Sequence, residues 1–138
     1  MRKLLVLLAA CSVVVACDTR ISGVATSFSA EVGTYVLTTY NAKAVPAALP
    51  DTVPGTTLVL QADTVLLSVN GNVRESRWIS STKAPAAAVI TSSANAGRYT
   101  ITGDSLGFTG ITLRAATLTS TTLTATDPQG FVYVFTRR

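Results

Sequence analysis

From residue 33 onward, apolar and polar residues alternate in short runs separated by Gly, Pro, Asn and Asp. Alternation sends successive side chains to opposite faces of a strand, so the pattern predicts an antiparallel all-β domain with one buried face. The runs fall at 33–40, 57–68, 72–80, 98–102, 105–109, 111–118, 121–126 and 131–137. Asn70-Gly71 carries strong hairpin chemistry, and Asp127-Pro128-Gln129-Gly130 sets Pro where φ is fixed and Gly where φ turns positive. Gln61-Ala62-Asp63 interrupts 57–68 without Gly, Pro or Asn, so the chain bends there rather than turns. That makes about eight strands, an even number that lets an antiparallel meander close and lose its edges. The expected architecture is therefore an up-and-down barrel, with an open sandwich as the fallback. A change of parity within 111–118 predicts a bulge near Ala115-Ala116.

Two connections are long: 41–56, with Pro46, Pro50 and Pro54, and 81–97. As the first and third loops of an eight-stranded meander they belong to one rim, and the first strand begins at the other. Pro85 followed by three alanines predicts a short helical lid, because Pro suits a first helical turn.

The N-terminal segment follows another pattern. Met1-Arg2-Lys3 is positive and residues 4–16 form an apolar run of 13, too short for a membrane span of about 20 residues but suited to a secretory signal. Val14-Val15-Ala16-Cys17 resembles the lipobox of bacterial lipoproteins, in which the Cys is acylated and becomes the new N-terminus. Leu8-Ala9-Ala10-Cys11 matches the same box, but cleavage there would leave an apolar run of only seven residues. The resulting division is a signal over 1–16, a lipidated N-terminus and tether over 17–32, and a β domain over 33–138. Two or more acyl chains give a stable anchor where one does not. The expected location is the cell envelope, exported and lipid-anchored, with the inner or outer membrane undecided.

Charge and composition narrow the chemistry. The chain is 48% hydrophobic and only 13% charged, with 22 Thr among its 138 residues. Hydroxyls on β-branched stems suit a half-buried pleated surface and take over much of the solvation that charges usually provide. The formal charge of +4 falls to +2 once Arg2 and Lys3 are removed with the signal, so no basic patch remains for nucleic acid. Without any His and with two Cys, the chain lacks the parts of Ser-His-Asp and Cys-His centres and of histidine metal sites. No two carboxylates share a catalytic spacing. The expectation is a protein that is not an enzyme and uses no metal or other cofactor.

Residues 72–80 form the most polar strand, with Val73, Glu75, Arg77 and Ile79 on one face and Arg74, Ser76, Trp78 and Ser80 on the other. Arg77 is a candidate anchor for a ligand carboxylate, with Trp78 as an apolar wall. The plainer alternative is a Glu75–Arg77 pair facing solvent with Trp78 in the core. Tyr35, Tyr99 and Tyr133 are candidate pocket-lining residues, since a phenol pairs an apolar body with a hydrogen bond, although core packing is their commoner use. Asp63, Asp104 and Asp127 fall at expected turns.

Several of these segments together resemble small lipocalin-like bacterial envelope lipoproteins. The motifs are Gly33-x-Tyr35-x-Leu37, the proline-rich 46–54, the run from Gly97 to Phe108 (GRYTITGDSLGF), Thr117 to Thr124, and Tyr133 to Arg137 (YVFTR), covering 33–137. The resemblance implies a calycin-type barrel and binding of a small hydrophobic molecule. Two functions of different class follow. One is a structural or interaction module of the envelope, anchored to the membrane at Cys17, with its barrel filled by its own side chains. The other is a carrier of a small hydrophobic ligand in that barrel.

Overall fold

The structure, a computed structural model, describes residues 31–50 and 53–138, so the expected signal, Cys17 and nearly all of the tether lie outside the described residues. Among the described residues ten strands are present: β1 Gly33–Tyr40, β2 Lys43–Ala44, β3 Ala47–Ala48, β4 Thr56–Leu67, β5 Asn72–Lys83, β6 Val89–Thr102, β7 Ser105–Thr109, β8 Ala115–Leu118, β9 Thr122–Thr126 and β10 Val132–Arg137. They form one antiparallel sheet. Apart from the two-residue β2 and β3, its strands make a meander that closes when β1 joins β10 on one side and β4 on the other. The result is the closed eight-stranded barrel that the alternation predicted.

β4 is one strand through the doubtful segment, with a register shift between Leu60 and Ala62 where the chain bends at Gln61. The Asn70-Gly71 turn forms with Gly71 at φ 75°, and the Gly71 N–H donates to the Ser68 carbonyl at 3.0 Å. Gly33 pairs with Leu67 at one end of the barrel, and Thr56 pairs with Lys83 at the other. Both long connections therefore leave the same rim, opposite the start of β1.

Neither connection is a free flap. β5 runs on to Lys83 and β6 starts at Val89, so most of 81–97 is an extended hairpin whose β-branched Val89, Ile90 and Thr91 continue the ladder. Only 84–88 turns, with the Ala86 N–H on the Lys83 carbonyl at 2.8 Å. The expected helical lid at Pro85 does not form, because its alanines close a hairpin that is already paired on both sides. Residues 41–50 fold back onto the sheet through β2 on β1 and β3 on β4, and they bury Ala47. Residues 111–118 likewise do not form one bulged strand. Residues 110–114 leave the ladder and drop Leu113 into the core, so the change of parity marks an interruption.

The interior is packed with the inward parity of every long strand, including Tyr35, Leu60, Val65, Leu67, Leu123 and Phe135, all fully buried. An eight-stranded barrel is just wide enough for its own side chains to fill. β6 crosses β7 very closely: a Cβ on Gly97 would sit 1.8 Å from the Thr109 carbonyl oxygen. Glycine is required there by contact with backbone rather than by φ.

Candidate functional site

The apolar packing gives way to polar groups at the rim that carries the long connections. Arg77 on β5 points inward, opposite Asp63 on β4, which the alternating pleat also turns inside. The Arg77 Nε donates to Asp63 Oδ2 at 2.8 Å, and its Nη2 donates to Glu75 Oε1 at 2.9 Å and lies 2.7 Å from Asp63 Oδ2. Asp63 and Glu75 are 0% exposed and Arg77 8%. A buried cation held between two carboxylates is tolerated because each group meets a charged partner.

The network reaches further through Glu75. Its Oε2 accepts the Thr112 N–H at 2.8 Å and an Nδ2–H of Asn95 at 3.3 Å, and Asn95 also donates to Thr112 Oγ1. That is what draws the irregular 110–114 segment across the barrel end. On the far side the Arg77 guanidinium carbon lies 5.0 Å from the centroid of the Tyr133 ring, a cation–π arrangement. Tyr133 donates its hydroxyl to Asp127 Oδ2 at 3.1 Å, while Asp127 Oδ1 accepts the N–H groups of Gln129 and Phe131 at 3.0 and 2.9 Å. Asp127 thus shapes its turn and fixes a phenol at once.

Burial sets the protonation of this cluster. Desolvation pushes the Asp63 carboxyl up to about 7, against the pull of Arg77, and the neighbouring Glu75 raises it further. For Arg77, burial works against the charged form, but Asp63 and Glu75 outweigh it and hold the guanidinium more firmly protonated. Burial also raises Tyr133 and Tyr40 above the ordinary phenol range.

Beside the cluster is a recess of about 290 Å³, walled by Tyr40, Leu49, Pro50, Leu58, Phe131 and Tyr133 and floored by Arg77, Thr112 and Asp127. Tyr40 packs its ring 5.0 Å from Tyr133 and 5.7 Å from Phe131, centroid to centroid. No protein-family model, curated protein or solved structure matches the chain.

Of the residues singled out from the sequence, Arg77 and Tyr133 meet in this recess. The Glu75–Arg77 pair exists, but it faces the interior rather than solvent. Trp78, on the opposite parity, lies on the outer surface at 36% exposure and lines neither recess nor core. Tyr35 and Tyr99 are buried toward the other end, with their hydroxyls on the carbonyls of Glu31 and Ser68. Asp63 is mid-strand and buried, not at a turn. Sequence reasoning missed Tyr40, Asp63, Thr112 and Phe131. The shared parity of Glu75 and Arg77 was the one visible signal, and their third partner becomes apparent only from the β4–β5 register.

Proposed function

We propose that the chain is an exported envelope protein, acylated at Cys17, whose small barrel serves as a structural or interaction module rather than as a carrier of a hydrophobe in its lumen. The observation that supports this reading best is the packed interior: Tyr35, Leu60, Val65, Leu67, Leu123 and Phe135 are 0% exposed between the strands, which leaves no room beside them for a guest among the described residues. The anchoring half rests on the 13-residue apolar run followed by Val14-Val15-Ala16-Cys17. β1 begins at the rim opposite the recess, so a tether arriving there directs the polar mouth away from the membrane. Contacts would then be made by the mouth and by the threonine-rich outer face.

Intact mass of the chain recovered from host membranes tests the anchor. The expected mass lacks residues 1–16 and carries added acyl chains on Cys17, and Cys17→Ser is expected to lose the acyl mass and leave the membrane fraction. Recovery with residues 1–16 attached, or of Cys17→Ser in membranes at wild-type yield, would overturn it. Native mass spectrometry of the same preparation tests the filled lumen, since a stoichiometric co-purifying lipid would contradict it.

A further inference from the structure

The recess at the mouth has features that barrel closure does not require. Tyr40 is only 2% exposed, lines the recess with its ring, and keeps a hydroxyl that is closed off from solvent and has no hydrogen-bond partner among the described residues. A buried hydroxyl without a partner is disfavoured, so a small turn of the Tyr40 ring that brings it to an acceptor on a bound molecule is favourable. Arg77 lines the same recess. Its Nε and Nη2 are taken by Asp63 and Glu75, and its Nη1 makes no hydrogen bond among the described residues. Arg77 Nη1 is therefore an open donor, and the Tyr40 hydroxyl a closed one, at the edge of a space whose other walls are mainly rings and aliphatic side chains.

Charge decides what those donors accept. Around the recess stand one guanidinium and three carboxyls, Asp63, Glu75 and Asp127, so a carboxylate guest would add to an excess of acid. A cationic guest would meet the Nη1 of Arg77, which can only donate and is itself positive. An uncharged acceptor avoids both penalties. At about 290 Å³ the space is at the lower end of ligand pockets and fits a single ring with one polar substituent.

We propose that this recess is a binding site for a small uncharged molecule, or an uncharged portion of a larger one, that presents a carbonyl or amide oxygen on a ring-sized apolar body. The oxygen accepts from Arg77 Nη1 and, after a small turn of the Tyr40 ring, from Tyr40 Oη, and the ring of the guest lies among Tyr133, Phe131, Leu49 and Pro50. The site needs neither the anchor nor an empty lumen, so it stands or falls separately from the function proposed above.

Three probes of one shape test it: benzamide, benzoate and benzylamine, titrated into the full chain in mild detergent and followed by backbone amide shifts. Benzamide is expected to move the Thr112, Gln129 and Phe131 amides, and the two charged probes are expected to bind about tenfold more weakly. Tyr40→Phe is expected to weaken benzamide about fivefold, the size of one hydrogen bond, while leaving the melting temperature unchanged or raising it, because the hydroxyl removed is buried without a partner among the described residues. Preference for benzoate would show that Arg77 keeps net positive character, and preference for benzylamine that the carboxyls dominate. Either result would overturn the proposal, as would unchanged benzamide binding in Tyr40→Phe or no amide shift with any probe. Benzamide carried on a short peptide, compared with the free compound, tells a peptide-borne group from a free small molecule.

Discussion

Asp63→Asn separates the two forces acting on the buried carboxyl. In the folded barrel its pKa is raised from 3.8 to about 7, mainly by desolvation. The folded state therefore holds this proton more tightly than the unfolded chain does. The associated stability is fully present below about pH 4 and is lost as the pH rises through 7. At about 1.4 kcal/mol per unit, a shift of about three units removes about 3–4 kcal/mol between pH 4 and pH 7.5. Asparagine keeps nearly the shape of the protonated acid and does not titrate. Wild type is expected to lose about 3–4 kcal/mol more than Asp63→Asn over that range, with contributions from the other acids cancelling in the difference. Urea unfolding of the full chain in mild detergent, followed by the fluorescence of the single Trp78, measures both curves. Parallel curves, or a wild type that gains on the variant as the pH rises, would mean that the attraction of Arg77 balances or outweighs desolvation and that Asp63 is ionised in the fold.

Two backbone positions give further tests. Ala42 sits at φ 62° in the tight turn between β1 and β2, a conformation unfavourable for any residue with a Cβ, so Ala42→Gly is expected to stabilise the fold by up to about 1 kcal/mol in the same unfolding assay. Gly97→Ala would press a methyl group against the Thr109 carbonyl and is expected to destabilise by about 3 kcal/mol or more. At Gly107 only the movable Thr100 hydroxyl is near, at 3.2 Å, and Gly107→Ala is expected to be close to neutral. Equal effects at the two glycines would refute the close-crossing argument.

The strands that bury one face were legible because period-two alternation is a local property. β1, β7, β9 and β10 fall within about a residue of the runs read from the sequence, and the bend at Gln61 was distinguishable from a turn by its lack of turn residues. The upper half of β6 was not legible. Val89 through Ala94 are exposed on both faces, so no alternation marks them, and only pairing with β5 makes them a strand. The recess was half legible for a related reason. Arg77 and Glu75 are two residues apart and must share a face, whereas Asp63 joins them only through the register that places it opposite Arg77. Between two apolar runs, an aspartate reads as a turn until a cation is found across the strand. Tyr40 and Phe131 sit where strands meet loops, and their meeting depends on closure between β1 and β10.

That closure also dictates an order of assembly. β1 can dock on β4 once residue 67 is available, but its other side waits for β10, which pairs Tyr35 with Arg137 at the far end of the chain. A polypeptide that emerges N-terminus first can lay down each hairpin as it appears, yet the ring stays open until β10 arrives. The strand Val132–Arg137 acts as a latch. A chain cut short before Val132 would keep two long unsatisfied strand borders facing its neighbours, so truncation at this end invites clumping as well as loss of the fold.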